Sequence, residues 1–446
     1  MLKKVLIANR GEIAVRVARA CRELGIGVVA VYSTADRDSE VVRLADDAVH
    51  VGPPPARGSY LYIPALIEAA RRTGADAVHP GYGFLSEDPD FAEVCEANGL
   101  VFVGPPAGVM ARLGDKTAAR ALMADAGLPL LPGSRSPLAG VEQARALADD
   151  IGYPVIVKAA MGGGGRGMAV VTDPADFTRS YLETVASGQT LFGDGRVYVE
   201  RYLESARHVE VQVFADAHGG AVHLGERDCS VQRRHQKLVE ETPAPGVPRP
   251  VVERMGEEAV RGLRAAGYVR AATVEFLTGP DGAHYFMEVN SRIQVEHPVT
   301  EMAYGVDLVR EQLLAAAGEP LSAELAAARP RGAVIECRVN AEDPERGFAP
   351  APGTLEEFTP PGGPFVRVDT HARAGMRIPA AYDSLLAKVV VWAPDRTQAL
   401  ARAVRALEEF RVAGAGVRTA IPFLLRVLRD PDFRAGRHDT GLVARL

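Results

Sequence analysis

Lysine is scarce in this chain. Only Lys3, Lys4, Lys116, Lys158, Lys237 and Lys388 occur in 446 residues, and the other 45 of the 51 basic side chains are arginines. Codon or composition bias is the simplest source of such a ratio, and an interior lysine then raises the question of why a planar guanidinium would not serve there. Cysteine is sparse too: Cys21, Cys95, Cys229 and Cys337 are far apart, with no C-x-x-C pair and no zinc-ligand spacing. They are expected to be reduced thiols of a cytoplasmic protein. No window approaches the roughly 20 apolar residues of a membrane span, so no membrane role is expected. The apolar run Val5–Ala8 stops at Asn9-Arg10, short of a signal peptide's core of roughly 7–15 residues. Excess positive charge is missing as well. A formal net charge of −6 argues against nucleic acid as the main partner, because counterion release needs a basic surface. What is present is a hydrophobic fraction of 47%, enough for real cores, in a length that suits two to four domains at roughly 100–200 residues each.

The first hundred residues alternate short β-branched runs with helical patterns: Lys4–Ala8, Ile13–Leu24, Val28–Tyr32, Ile63–Arg72, Ala77–His79, Phe91–Asn98 and Leu100–Val103. Such alternation predicts right-handed crossovers and a parallel sheet. Gly104–Pro137 reads as a connector enclosing one helix, Lys116–Ala126. A second unit runs from a helix at Val141–Ile151 through strands at Val155–Ala159 and Met168–Val171 to a helix at Pro174–Ala186, and a strand-rich region from Val197 ends in helices at Arg396–Phe410 and Arg418–Leu428.

Residues Gly162–Gly167 read GGGGRG, which satisfies G-x-G-x-x-G. A dinucleotide-binding loop requires a helix directly after it, whereas Met168–Thr172 reads as a strand. The loop is not a Walker A motif either, since no Gly-Lys-Ser/Thr closes it. A strand, a glycine loop and a second strand, with Lys158 four residues before the first glycine, suit a flap whose backbone N–H groups close over phosphates. The alternative is a surface hairpin without a ligand.

Arg270–Pro298 carries the strongest pattern. Gly279-Pro-Asp-Gly282 separates two strand patterns and predicts a hairpin. A four-residue loop pairs Thr278 with Ala283 and Glu275 with Phe286, which makes Glu275 and Glu288 diagonal neighbours. Continued extension would line up Glu288, Asn290, Arg292, Gln294 and Glu296 on one face. Two carboxylates and an amide carbonyl suit Mg²⁺ or Mn²⁺ bridging nucleotide phosphates, Arg292 suits a small oxyanion, and Glu296 a general base. The basic run Arg227–Lys237 is read as an anion site with His235 and Lys237 as contacts. His79-Pro-Gly-Tyr-Gly83 stands where open α/β sheets bind ligands, although a plain turn fits equally. Lys3, Lys4 and Lys388 have no motif around them and are read as structural.

On these residues the chain resembles ATP-grasp enzymes, specifically the biotin carboxylase subunits of acetyl-CoA carboxylases. The carrying stretches are Ile7–Ala14, HPGYGFLSE at His79–Glu87, Gly114–Lys116, Lys158 with Gly162–Met168, Glu226–Ser230, Arg233–Lys237, RIQVEHPVT at Arg292–Thr300 and Tyr382–Ser384. The resemblance implies an α/β and α+β multidomain fold. An N-terminal Rossmann-like domain (1–113) would lead through a linker (114–136) to an ATP-grasp lid with the glycine flap (137–203), a catalytic subdomain (204–330) and a C-terminal biotin carboxylase domain (331–446). It implies an ATP-dependent ligase that carboxylates N1 of biotin through carboxyphosphate. ATP would be held by Lys116, Lys158, Gly164, Gly165, the stretch Glu200, Arg201, Tyr202 and Leu203, and His208 and His235. Glu275, Glu288 and Asn290 would hold two Mg²⁺ or Mn²⁺ ions, the two carboxylates also facing ATP. Bicarbonate would sit among Lys237, Arg292, Gln294, Val295 and Arg338, and biotin near Tyr82, Gly83 and Arg338, with Arg292, Glu296, Arg338 and Lys237 catalytic.

The sequence contains no Met-Lys-Met, so biotin is expected on a separate biotin carboxyl carrier protein, with separate carboxyltransferase subunits; the length disfavours fused pyruvate or propionyl-CoA carboxylases. A homodimer is implied, with Arg19 and Glu23 at its interface. Ser291 and Ala387 depart from the Thr and Gly of the family pattern. The alternatives are the same component of another acyl-CoA carboxylase, another ATP-grasp ligase joining a carboxylate to an amine, a nicotinamide oxidoreductase and an inert nucleotide-binding module.

Overall fold

A computed structural model describes residues 1–162 and 165–446. The N-terminal unit is a parallel sheet of β1 (Lys4–Ile7), β2 (Gly27–Ser33), β3 (Asp47–Gly52), β4 (Ala77–His79) and β5 (Val101–Phe102), ordered β3-β2-β1-β4-β5. Val5, Leu6, Ile7 and Val28–Val31 are fully buried, as continuous apolar strands must be when both sheet faces are covered. The strand order reverses between β1 and β4, so the loops after these two strands flank a crevice suited to a ligand. Asn9 ties them together, its Nδ2 donating to the carbonyls of Pro80 at 2.7 Å and Tyr82 at 2.8 Å. β3 escapes a reading of the sequence because it is an edge strand in which Asp47 and His50 interrupt the apolar run.

The connector holds two helices, Ala107–Gly114 and Lys116–Asp125; Pro106 at the start of the first and its two glycines mask it in the sequence. Leu113, Ala119, Met123 and Leu128 are buried in one core with β-strand valines and the helix Arg249–Ala266. The segment is therefore packed rather than a free strap.

β6 (Val155–Ala159), β7 (Met168–Val171) and β8 (Val197–Arg201) form an antiparallel lid sheet, ordered β7-β6-β8. The helices Val141–Ile151 and Phe177–Phe192 close it through Ala144, Ala148, Phe177 and Tyr181. The second of these starts after the turn Pro174–Asp176 and runs past the predicted Ala186. A strand and not a helix follows the glycine loop, which removes the ground for a nicotinamide site.

An eight-stranded antiparallel sheet forms the rest: β9 (Arg207–Ala215), β10 (Ala221–Arg233), β11 (Gln236–Thr242), β12 (Arg270–Thr278), β13 (His284–Asn290), β14 (Ala333–Asn340), β15 (Val366–Thr370) and β16 (Leu385–Ala393). Their order is β13-β12-β9-β10-β11-β14-β16-β15. Val239 pairs with Cys337 and Thr242 with Val334, so the sheet runs unbroken across residue 330. The C-terminal helices are Arg396–Glu409 and Ile421–Arg429.

The hairpin register differs from the sequence expectation. Thr278 pairs with His284, not Ala283, because the loop holds five residues with Gly282 left-handed at φ 79°; Phe276 pairs with Phe286, and a bulge at Met287 then sets Glu275 directly opposite Glu288. The strand also ends at Asn290, and the chain leaves the sheet before the helix His297–Tyr304. The expected single strand face from Glu288 to Glu296 is therefore a strand end plus a loop. No helix among the described residues is long and apolar enough to cross a membrane, and all four cysteines are free and buried.

Candidate active site

The parallel unit, the lid and the antiparallel sheet enclose one cavity of about 930 Å³, and every expected site residue among the described residues lines it. Gly164 lies outside the described residues.

At the lid end two lysines stand across from acids. Lys116 opens a helix capped by Asp115, whose Oδ1 accepts from the N–H groups of Thr117 and Ala118 at 2.9 and 3.0 Å. Its ammonium pairs with Glu288. Burial lowers the Lys116 pKa, but Glu288 outweighs it and the group stays a cation. Lys158 on β6 pairs with Glu200 on β8, which also accepts from Arg120 Nη1 at 2.6 Å. The Arg201 and Tyr202 N–H groups donate to the carbonyls of Pro132 at 2.8 Å and Pro154 at 3.0 Å.

The basic cluster is the tip of the β10–β11 hairpin. Arg234 and His235 form its two-residue turn with φ 48° and 64°, positive at both positions as a type I′ turn requires. Gly165 rests on this tip: a Cβ there would fall 2.1 Å from His235 Cδ2, and φ is 70°. Burial and Lys158 push the His235 pKa down, which leaves the ring neutral. Arg227, from the same basic run, is wholly buried; its Nε donates to Glu210 at 2.6 Å.

At the opposite end anions and cations interleave. Lys237 Nζ lies 2.6 Å from Glu210 Oε2, 2.6 Å from Glu296 Oε1 and 3.1 Å from Glu275 Oε1. Arg338 donates from Nη2 to Glu296 Oε2 at 2.8 Å and from Nε to Glu240 at 2.6 Å. Burial pushes the Glu296 pKa up, but Lys237, Arg338 and Arg227 outweigh it and hold the carboxyl well below its ordinary range. Glu240 shows the reverse: burial, reinforced by Glu296 and opposed by Arg338, pushes it up to about 7. Arg292 donates from Nε to Glu87 at 2.8 Å, from Nη1 to Gln294 at 2.9 Å and from Nη2 to Asn290 Oδ1 at 3.2 Å.

Glu275 links the two ends. It accepts from Asn290 Nδ2 at 2.9 Å, and His208 Nε2 lies 3.0 Å from its other oxygen. His208 therefore faces the acidic hairpin, beside Glu210 and Glu275, and the ligand atoms of these three lie within 4.8 Å of one another. Burial disfavours the Glu275 carboxylate, yet Lys237 and His208 hold its pKa far down. Glu275, Glu288 and Asn290 present only oxygen donors to the cavity as ligands, a set that fits a hard divalent cation.

The sequence reading assigns no role to Glu12, Glu87, Glu210 and Glu240, and reads Lys388 as structural. A signal exists for Glu210: His208, Glu210 and Gln212 alternate with Val209, Val211 and Val213, all buried, the mark of a strand with one polar face turned inward. Glu12 and Glu87 stand inside the stretches Ile7–Ala14 and His79–Glu87 that carry the resemblance, but nothing local in them says which groups they face.

Comparison with known proteins accounts for this arrangement. Family models described as "Biotin carboxylase, N-terminal domain", "Carbamoyl-phosphate synthase L chain, ATP binding domain" and "Biotin carboxylase C-terminal domain" match residues 1–110, 115–324 and 336–445. The chain is 49% identical over 441 residues to Biotin carboxylase 1 of Bacillus subtilis, covering 99% of this chain and 98% of that protein. It is 47% identical over 443 residues to a pyruvate carboxylase subunit of Methanothermobacter thermautotrophicus, covering 99% and 90%. The biotin carboxylase domain dimer of Hydrogenobacter thermophilus 2-oxoglutarate carboxylase, solved with MgADP, ADP and bicarbonate, superimposes with a TM-score of 0.96 at 44% identity, covering 100% and 98%. Matching domain order, near-complete coverage and the cavity's paired lysines and buried carboxylates agree, and the chain belongs to the biotin carboxylase family of ATP-dependent ligases.

Proposed function

We propose that this biotin carboxylase carries out the first half-reaction of acetyl-CoA carboxylase, carboxylating N1 of biotin on a separate biotin carboxyl carrier protein at the expense of ATP and bicarbonate. The observation that carries the reading is the joint hold of Lys237 and Arg338 on Glu296, in the same cavity as Lys116 and Lys158. The domain limits follow the same reading: 1–113, 137–203, 204–330 and 331–446, with 114–136 between the first two.

ATP lies between the flap and the hairpin. Lys116 and Lys158 exchange Glu288 and Glu200 for phosphate oxygens, and Leu203 offers its backbone to the adenine. Glu275, Glu288 and Asn290 hold Mg²⁺ or Mn²⁺, which when bound neutralises charge on the phosphates. Bicarbonate is received by Lys237, Arg292, Gln294, the Val295 backbone and Arg338. An anion on Lys237 and Arg338 weakens their hold on Glu296 and so raises its basicity. Glu296 then takes the bicarbonate proton while the bicarbonate oxygen attacks the γ-phosphorus and ADP leaves, giving carboxyphosphate. Carboxyphosphate divides into CO₂ and phosphate, phosphate takes the N1 proton of biotin, and N1 bonds to CO₂. Arg338 stabilises the enolate oxygen that develops on the biotin ring, beside Tyr82 and Gly83. Closure of the flap keeps water from the labile intermediates.

In this reading the protein is cytoplasmic and homodimeric, with Arg19 and Glu23, both exposed on the helix Gly11–Glu23, at the dimer contact and carboxyltransferase subunits completing the complex. A second reading, favoured by the 47% identity to a pyruvate carboxylase component, keeps all of this chemistry and changes only the acceptor. The test is purified protein with MgATP, radiolabelled bicarbonate and a panel of biotinylated carrier proteins. Label fixed on the acetyl-CoA carboxylase carrier supports the first reading, label on a pyruvate carboxylase carrier alone supports the second, and no label on any carrier sinks both.

A further inference from the structure

Lys388 is the most buried lysine of the six, with a fully buried side chain on β16. Its register partner on β14 is Arg338, so the two cations stand side by side on one sheet face. Arg338 reaches Glu296 and Glu240, whereas Lys388 reaches Glu12 and the Val295 carbonyl. Its ammonium lies 2.8 Å from Glu12 Oε1 and donates to the Val295 carbonyl at 2.8 Å, with Asp369 Oδ2 at 3.9 Å. The same Glu12 oxygen accepts from the Tyr82 hydroxyl. Glu12, Tyr82 and Val295 all line the cavity, and Lys388 does not.

Three elements thus meet at one ammonium, the first turn of the helix Gly11–Glu23, the loop after β13 and the strand β16 that supplies it, and the loop after β4 joins them through the Tyr82–Glu12 contact. Local sequence sets none of the spacings between them. An ammonium presents three donors on a compact head, which suits acceptors arriving from different directions; a planar guanidinium does not. Dehydrating that charge is tolerated because a carboxylate and a carbonyl oxygen replace water.

We infer that Lys388 is a positioning residue for the anion end of the cavity, fixing the Val295–Glu296 peptide relative to the Glu12–Tyr82 pair. This rests on the proposed reading that bicarbonate and biotin occupy that end. Through Val295 it sets the aim of Gln294 and Glu296, and through Glu12 the distance from them to the Tyr82–Gly83 loop. The phosphate-facing Lys116 and Lys158 lie outside the network.

Lys388→Met alone strands the Glu12 charge in the interior, so it reads stability together with positioning. The informative variant combines Lys388→Met with Glu12→Gln, which removes both charges and keeps a partner for Tyr82. Its melting temperature and its KM values for ATP, bicarbonate and free biotin are compared with the unaltered enzyme. The inference requires KM for biotin and bicarbonate to rise, or kcat to fall, by about 10- to 100-fold, the scale on which an ångström of misplacement acts, while KM for ATP stays within about twofold. A double variant with normal melting and normal kinetics overturns it, since a merely structural pair is dispensable once both charges are gone. A uniform loss that includes ATP binding overturns it too. Should the double variant not fold, Glu12→Gln alone is the deciding change, and an unaltered biotin KM in it overturns the inference. Absence of biotin-dependent turnover in the unaltered enzyme overturns the reading of the site, and the positioning role with it.

Discussion

Lys237 and Glu296 face each other at 2.6 Å with side-chain exposures of 11% and 0%, although they come from β11 and from the loop before His297. A buried carboxylate at that distance from an ammonium is stabilised in its charged form, and Arg338 holds its other oxygen. In the proposed mechanism an entering anion draws these cations away, which would couple binding to activation of Glu296 as the base.

Replacing Glu296 by Gln keeps the shape and removes the proposed base. Bicarbonate-dependent ATP cleavage is expected to fall by about 10²- to 10⁴-fold, the usual range for a general base, with nucleotide binding retained in a titration. Lys237→Arg keeps the charge but brings a wide fork into a space shared with Glu210 and Glu275. It is expected to lose turnover, while Lys3→Arg, at an exposed position, leaves it unaltered. Equal rates for Lys237→Arg and the parent enzyme would contradict the compact-ammonium argument.

Gly165→Ala places a Cβ 2.1 Å from the His235 ring at a φ of 70°. The left-handed backbone alone costs a non-glycine residue about 1–2 kcal/mol. Flap closure over ATP is expected to suffer and KM for ATP to rise, with little change in melting temperature because the glycine lies outside every core. An unaltered KM for ATP in Gly165→Ala would show that the contact of Gly165 with the His235 ring is misread.

Glu275 and Glu288 stand directly opposite each other, and opposed carboxylates repel unless a cation lies between them. Chelating divalent cations should abolish ATP cleavage, and Mg²⁺ or Mn²⁺ should restore it. Glu275→Gln and Glu288→Gln should each raise the metal concentration needed for half-activity by about tenfold or more, the loss of one ligand interaction of about 1.4 kcal/mol. An unaltered metal requirement in both would remove these residues from the metal site.

Glu301 predicts an acid limb of stability. Its carboxylate accepts from Arg16 at 2.9 Å and Arg367 at 2.7 Å. Burial alone would raise its pKa, but the two guanidinium groups bring it down to about 2 from 4.5. A depressed carboxyl pKa contributes stability that is present above the unfolded value and is lost as pH falls from about 4.5 toward 2, here on the order of 3 kcal/mol. In urea melts Glu301→Gln should be destabilised most at pH near 7, and the gap should narrow as pH drops to about 3. A gap independent of pH would mean that packing, not charge, sets the effect.

Legibility in the sequence follows physical range. The lid helix Val141–Ile151 is legible to the residue and the strands Val155–Ala159 and Met168–Val171 to within about one, since apolar periodicity and glycine runs are local signals. β3 is lost because an edge strand bears polar residues, and the helix Ala107–Gly114 because prolines and glycines obscure it. The hairpin is legible as a hairpin but not in register. Loop length and one bulge, which no periodicity encodes, decide whether Glu275 meets Phe286 or Glu288.

By itself, the sequence determined most strands and helices before residue 197, the resemblance to the family, and the scarcity of lysine that drew attention to Lys116, Lys158 and Lys237. Only the tertiary structure decided which acids those lysines face. Lys116 meets Glu288 across 172 positions and Lys237 meets Glu296 across 59, through a sheet order that places distant strands side by side. It also moved Lys388 from a residue read as structural, with no motif around it, to the point where the first helix and the loop after β13 meet β16. The physical reason is the same in each case: a buried ammonium is stable only where acceptors converge on it, and convergence is a property of the packed chain.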